Sequence, residues 1–272
     1  LLTHPDLGVI PDLSEISAVG HRIVHGGDLF SEAVELTPEN LRELAKLNPL
    51  APLHNPPALL GVQACLDVMP DVPNVGVFDT AFHQTMPPEA FMYPISYEMY
   101  EKHSIRRYGF HGTSHAYVCG QVIGLLNKPA EETRIITCHI GNGSSLAAIK
   151  GGKVVDTSMG FTPLEGLMMG TRCGTIDPSI GAFLEEQEGW TPERVNEYFN
   201  KECGLLGISG ISSDMRDIRK ALGNGHKRSR LAVEMLYHQL VKLIGGYVLL
   251  LGGVDALVFT AGMGENDAKM RK

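Results

Sequence analysis

ITCHIGNGSSLAAIKGGKVV, residues 136–155, consists of three strand-length runs broken by two glycine turns. Gly141, Asn142, Gly143, Ser144 and Ser145 occupy the first bend. There the missing Cβ atoms allow backbone N–H groups to close round an anion, and the hydroxyls would add donors. The second bend, Gly151-Gly152, is a hairpin turn, so the segment is not the loop-then-helix phosphate motif GxxxxGK[ST]. An ordinary glycine-rich hairpin and an anion cradle fit the stretch equally, and other residues must decide between them.

The chain has 272 residues, 43% of them hydrophobic and 20% charged, which suits a large globular core in one or two domains. A formal charge of −8 and the absence of a long Lys/Arg run argue against a nucleic-acid partner. Cys65, Cys119, Cys138, Cys173 and Cys203 are scattered without CxxC spacing, as expected of reduced thiols in a cytoplasmic protein. The most apolar stretch, about residues 243–254, is interrupted by glycines and too short to cross a bilayer. The chain starts without Met and stops shortly after Asn266, where a new helix is expected to begin, so it reads as an excerpt of a longer protein.

Thr37-Pro38-Glu39 predicts a capped helix start, and a second helix is expected from near Pro57 to before Pro70. NVGVFD, residues 74–79, is a short strand that delivers Asp79 at its C-terminal end, the edge where ligands of open α/β sheets gather. AVGHRIVHGG, residues 18–27, reads as another strand, with Arg22 and Val24 on one face and His21, Ile23 and His25 on the other. The two histidines lack a carboxylate on their own face and are read as packing residues rather than metal ligands. Residues 81–109, rich in proline and aromatics, are expected to be an irregular covering segment. GFHGTSH then leads into a helix that Thr113 or Ser114 would cap, leaving His111 in the preceding turn. Further helices should open at Thr191-Pro192 and Ser213-Asp214 and run from about Lys227 to Leu251. DALVFTAGMGEN should be a strand ending in Gly262-Met263-Gly264.

HRIVHGG, HNPP, FDTAFH, GFHGTSH, CHIGNGSS, GFTPLEGLMMGTRCGTIDP, DMRD and FTAGMGEN stand in the order and spacing of acetate kinases, and the chain resembles that family from about residue 18 onward. The resemblance implies an α/β fold: two ribonuclease-H-like domains of the actin-like ATPase type around a cleft, the first incomplete in this chain. Residues 1–82 would be the partial acyl-substrate domain and 83–272 the nucleotide domain, itself incomplete at its end. The implied reaction moves the γ-phosphoryl of ATP to acetate, reversibly, giving acetyl phosphate and ADP, with Mg²⁺ or Mn²⁺ as cofactor. The family is usually a homodimer.

Such a transfer needs directed donors and positive charge rather than a protein nucleophile. By resemblance, Arg22 holds the acyl substrate and Arg172 stabilises the transition state with His111, their guanidinium forks suiting carboxylate or phosphate oxygens. Asp79 is the family's acid/base residue. Acetate is already ionised at neutral pH, so Asp79 is read as fixing Mg²⁺ through water or orienting an arginine. Val24, Leu53, Phe110 and Pro163 would line the methyl pocket, with His54 nearby; Val24 favours acetate over propionate. His139, Ile140, Gly141, Asn142 and Gly143 would hold the phosphates. Asp214, Met215 and Arg216 would meet the adenosine, with Gly262, Met263, Gly264, Glu265 and Asn266 on the nucleotide's other side. Without the resemblance, DMRD is only a solvated helix start.

The family's Ser-rich phosphate loop would precede Leu1 and its Mg²⁺-ligating glutamate would follow Lys272. No direct metal ligand is therefore expected within these residues, and the chain alone is expected to be inactive or very weak. A nucleotide-driven module of the Hsp70 or actin kind would share the cleft and hairpin but has no use for Arg22, Arg172, His111 and a small apolar pocket. A noncatalytic fragment is favoured only by the missing ends, and a histidine metal hydrolase lacks its carboxylate partners.

Overall fold

The structure, a computed structural model, describes residues 2–52 and 54–272 and divides into two compact units between Gln84 and Thr85. In the first unit the elements are β1 (Val19–Ile23), β2 (Val34–Glu35), α1 (Pro38–Lys46), α2 (Asn55–Val68) and β3 (Asn74–Phe78). The sheet order is β1-β3-β2, with β1 parallel and β2 antiparallel to β3. Thr37 caps α1 by accepting from the Asn40 N–H at 3.3 Å, and Pro38 takes the first helical position, where no N–H is needed. Helix α2 begins at Asn55, two residues earlier than the sequence suggests, because Pro56 and Pro57 both fit the first turn.

Strand β1 stops at Ile23, so the strand reading of Val24–Gly27 is corrected. The buried Asn55 side chain pins that segment instead: its Oδ1 accepts from the His25 N–H at 3.2 Å and its Nδ2 donates to the His25 carbonyl at 2.9 Å. HNPP and HRIVH are thus one local structure, joined through an amide that satisfies both backbone polar groups of the buried His25. Beneath it Ile23, Leu36, Leu44, Val62 and the stacked pair Phe30–Phe78, 4.6 Å between centroids, form the core.

The second unit opens with α3 (Pro88–Phe91), α4 (Tyr97–His103) and α5 (Gly112–Leu125). The segment expected to be irregular therefore contains two short helices. Its arginines order it: the Arg106 guanidinium lies 3.7 Å above the Phe91 ring, and Arg107 Nη1 donates to the Thr157 carbonyl at 3.1 Å. Then come β4 (Arg134–Ile140), β5 (Ser144–Lys150), β6 (Lys153–Thr157), α6 (Ser179–Glu188), α7 (Pro192–Lys201), α8 (Gly204–Ser209), α9 (Met215–Gly223), α10 (Lys227–Leu251), β7 (Ala256–Thr260) and α11 (Ala261–Asn266). The sheet runs β6-β5-β4-β7; β4, β5 and β6 form an antiparallel meander, and β7 pairs parallel with β4.

Alternation along β4 assigns its two faces. Ile136, Cys138 and Ile140 join Leu146 and Ala148 in a core under Ala232, Val233, Leu236 and Leu240 of α10. That apolar enclosure pushes the Cys138 thiol up to about 12. On the opposite face Thr137 meets His115 of α5, and His139 meets Ser114. One strand therefore carries the core on one side and polar chemistry on the other. Among the described residues, no helix is long and apolar enough to cross a membrane.

Candidate active site

The first hairpin turn lies where the sequence put it, between β4 and β5. Its donors are spent differently from expectation. The Gly141 N–H donates to the Gly143 carbonyl at 3.1 Å, and Ser144 Oγ donates to the Gly141 carbonyl at 3.1 Å. Ser144 and Ser145 are both fully buried. Neither hydroxyl serves an anion cradle: the strand pleat turns Ser145 towards α5, and Ser144 closes the turn.

Ser145 instead joins a cluster of imidazoles. His111 Nδ1 lies 2.7 Å and His115 Nε2 2.8 Å from Ser145 Oγ, and His115 Nδ1 lies 2.7 Å from Thr137 Oγ1. The His111 ring stacks on His139 at 4.1 Å between centroids, and His139 Nδ1 is 2.8 Å from Ser114 Oγ. His111 occupies the N-cap position of α5 with φ +59° and makes no side-chain cap, so the expected cap by Thr113 or Ser114 is absent. A left-handed backbone at a non-glycine residue costs about 1–3 kcal/mol, and it persists here where the ring is held by hydrogen bond and stack.

Arg172 reaches the same place from the loop after β6. Its Nη1 donates to the Pro163 carbonyl at 3.2 Å, and burial draws the guanidinium pKa below its ordinary value. A Cβ built on Gly143 would lie 3.3 Å from Arg172 Nη1 and 3.3 Å from His111 Nε2. Two nitrogen donors thus converge on the side-chain-free space over Gly143. The loop approaches this closely because of Gly170, whose N–H donates to the Asn142 carbonyl at 3.0 Å. A Cβ there would meet Asn142 Oδ1 at 1.9 Å.

Beside the turn a cavity of about 1090 Å³ is lined by Gly141, Asn142, Asp214, Met215, Arg216, Gly262, Met263 and Asn266 among others. Asp214 is the N-cap of α9, accepting from the Arg216 N–H at 2.8 Å, and the Arg216 guanidinium beside it holds its carboxyl down at about 2. Of the sequence candidates, His139, Ile140, Gly143, Gly264 and Glu265 do not line this cavity. Ile140 belongs to the core and Gly264 packs on β4. Met263 does line it, though residues 262–264 lie in α11 rather than at the end of a strand. The helix also precedes Asn266 where the sequence suggested one following it.

In the first unit Arg22 is paired with Asp79, which follows β3. Arg22 Nε donates to Oδ1 at 3.0 Å and to Oδ2 at 3.2 Å, with Nη2 also on Oδ2. The Asp79 side chain is buried and the Arg22 side chain 62% exposed. One edge of the arginine fork is therefore occupied internally, and the hydrogen bond to Asp79 raises the Arg22 pKa. Val24 is half-buried just beyond β1, and Phe110 is buried next to His111. Leu53 lies outside the described residues. His21 Nε2 meets Asn74 Oδ1 at 2.7 Å, and His25 Nδ1 accepts from the Gly27 N–H at 3.0 Å. Among the described residues, no group of three or more His, Cys, Asp or Glu side chains is placed to hold a metal ion.

Residues 3–272 match the acetokinase family. The chain belongs to this family. It is 54% identical over 271 residues to an acetate kinase of Desulfitobacterium hafniense, spanning all of this chain and 68% of that protein. It is 56% identical over 272 residues to an acetate kinase of Methanosarcina thermophila, covering 66% of it. The Porphyromonas gingivalis acetate kinase structure superposes with a TM-score of 0.95 at 51% identity, over 99% of this chain and 68% of that one. A propionate kinase structure from Francisella tularensis gives 0.92 at 46% identity, over 96% and 67%. The acetokinase chain thus spans about two thirds of the length of these relatives, and the resemblance carried by its motifs holds over its whole length.

Several residues of this acetokinase site escaped the sequence reading. Gly170 was one glycine among many, and only the 1.9 Å approach to Asn142 distinguishes it. Arg219 and Asp267, both lining the cavity, are joined by Nη2 to Oδ2 at 2.7 Å across 48 residues of sequence. Spacing alone offers no signal for such a pair. Ser145, expected as an anion donor, instead has two histidine rings at 2.7 and 2.8 Å and the Phe110 carbonyl at 3.3 Å.

Proposed function

We propose that this acetokinase chain transfers the γ-phosphoryl group of ATP to acetate, forming acetyl phosphate and ADP, and runs the reverse reaction with the same groups. An acetate oxygen attacks phosphorus in line as the bond from phosphorus to the ADP oxygen breaks, through a loose transition state whose charge rests on the equatorial oxygens. Arg172 and His111 donate to those oxygens. Gly141, Asn142, Asp214, Met215, Arg216, Gly262, Met263 and Asn266 hold the nucleotide, His139 backs the His111 ring, and Ile140, Gly143, Gly264 and Glu265 shape the turn and helix around it. Arg22 takes the acetate carboxylate, and Val24, Leu53, Phe110 and Pro163 limit the acyl chain.

The observation that carries the reading is the convergence of His111 Nε2 and Arg172 Nη1 on one point over Gly143, each 3.3 Å from it. That point lies one residue along the turn from a cavity suited to a small organic ligand. Asp79, held by Arg22 through both carboxylate oxygens, is proposed to orient that arginine rather than to move a proton. Mg²⁺ or Mn²⁺ bound with ATP would neutralise phosphate charge; the described residues offer no cluster of ligands for it, and every step assigned to this chain uses its own side chains and backbone. Units of this kind are proposed to act in a cytoplasmic homodimer. The test is hydroxylamine trapping of acetyl phosphate formed by the full-length protein from ATP, Mg²⁺ and acetate, with propionate in parallel. Absence of acetate-dependent hydroxamate, or a kcat/KM favouring propionate, would overturn the assignment.

A further inference from the structure

Proton counting along the buried cluster decides which nitrogen of His111 carries hydrogen. Thr137 Oγ1 is fully buried, and its only hydrogen-bond partner among the described residues is His115 Nδ1 at 2.7 Å. A hydroxyl has one proton to give. If Thr137 accepted from His115 instead, its own hydrogen would be buried with no acceptor, a costly arrangement. Thr137 therefore donates, and Nδ1 of His115 is unprotonated. The neutral ring then carries its hydrogen on Nε2 and donates to Ser145 Oγ at 2.8 Å.

Ser145 has two remaining neighbours. The Phe110 carbonyl is 3.3 Å away, outside the range of a good O–H···O bond, and His111 Nδ1 is at 2.7 Å. Ser145 gives its proton to His111 Nδ1. We infer that Thr137, His115 and Ser145 form a one-way hydrogen-bond relay that fixes neutral His111 in its Nε2–H tautomer, aiming a donor at the space over Gly143. Reversing the relay would leave a bare Nε2 lone pair beside Arg172 Nη1, unable to stabilise an oxygen. The three are positioning residues that act through His111. The consequence for catalysis rests on the proposed phosphoryl transfer, whereas the tautomer itself does not.

The full-length protein labelled with ¹⁵N-histidine tests this by long-range proton–nitrogen correlation spectra, with His111 assigned by its loss in His111→Gln. Wild type should show the Nε2–H tautomer. Thr137→Val, nearly isosteric but without the hydroxyl, and Ser145→Ala should move His111 towards Nδ1–H. Both should lower kcat by about tenfold to a hundredfold, with KM for ATP changed less than about twofold. Thr137→Ser should recover both the tautomer and most of the rate. A wild-type His111 protonated on Nδ1, or on both nitrogens, overturns the inference, as does a tautomer unmoved in Ser145→Ala. Should Thr137→Val fail to fold, the wild-type spectrum still decides. If the tautomer is as stated but no acetyl phosphate forms, the relay stands and the functional assignment falls.

Discussion

Replacing Gly143 by alanine separates catalysis from folding at this site. Gly143 has no positive φ, so alanine does not meet the penalty of a left-handed backbone. The new methyl would sit 3.3 Å from Arg172 Nη1, 3.3 Å from His111 Nε2 and 3.5 Å from His111 Cε1. These contacts are a few tenths of an ångström tight, and relief requires only that two side-chain ends shift. Against that small strain stands about 0.4–1 kcal/mol gained by reducing unfolded-chain entropy, so the net change in stability should stay within about 1 kcal/mol. The effect on rate is different in kind, because the methyl fills the space where both donors must meet an equatorial oxygen. Loss of one such donor costs about 10²–10³ in kcat, or about 3–4 kcal/mol, and misplacement by an ångström costs a similar factor. Hydroxamate kinetics on full-length Gly143→Ala should therefore show a kcat depressed at least a hundredfold, with Tm and ADP affinity close to wild type. A variant that folds, binds ADP and retains more than about a tenth of wild-type kcat would refute the assignment of His111 and Arg172 to that space.

Asp79→Asn should disturb Arg22 by placing an amide N–H₂ against a guanidinium. Because the arginine is largely exposed, the loss should be about 1–3 kcal/mol, read as a fall in kcat/KM for acetate with the pH profile unaltered; a profile that loses a limb would restore a proton-transfer role to Asp79. Asp156 has its carboxyl pKa raised by burial, so folding disfavours its ionised form. That penalty is present once pH exceeds the folded-state pKa and vanishes below the unfolded value, so Asp156→Asn should raise Tm at pH 7, with the gain fading as pH falls towards about 4 and absent below it. Gly204→Ala, at φ +60° with its Cβ 2.1 Å from the Met169 carbonyl, should destabilise by about 3 kcal/mol or more in denaturant melts. Gly120→Ala, inside α5 with open space around the new methyl, should stabilise by about 0.5–1 kcal/mol.

What the sequence reveals is what local chemistry determines. The meander of β4, β5 and β6 follows from apolar runs and glycine turns, and Thr37, Thr191 and Asp214 cap the helices their spacing announces. Where tertiary contact overrides local preference the reading failed. Six residues containing two glycines do not propose a helix, yet α11 forms against β4, where a Cβ on Gly264 would lie 3.5 Å from the Cys138 carbonyl. His111 adopts a left-handed backbone that no imidazole prefers, held by a ring stack and a serine 34 residues away. Ser144 and Ser145 look alike in sequence, and only the pleat tells which one faces the histidines. The Arg22–Asp79 pair joins residues 57 apart, beyond any spacing rule.

The division of labour along β4 has a consequence for how this chain can diversify. Deleting or inserting one residue there would exchange the two sets of side chains, sending Thr137 into the oil beneath α10 and Cys138 against the imidazoles, so both folding and chemistry would fail at one stroke. Length variation among descendants should therefore be purged from Arg134–Ile140 and accumulate at the Gly151-Gly152 turn, where the backbone can lengthen without altering what either side of the sheet presents.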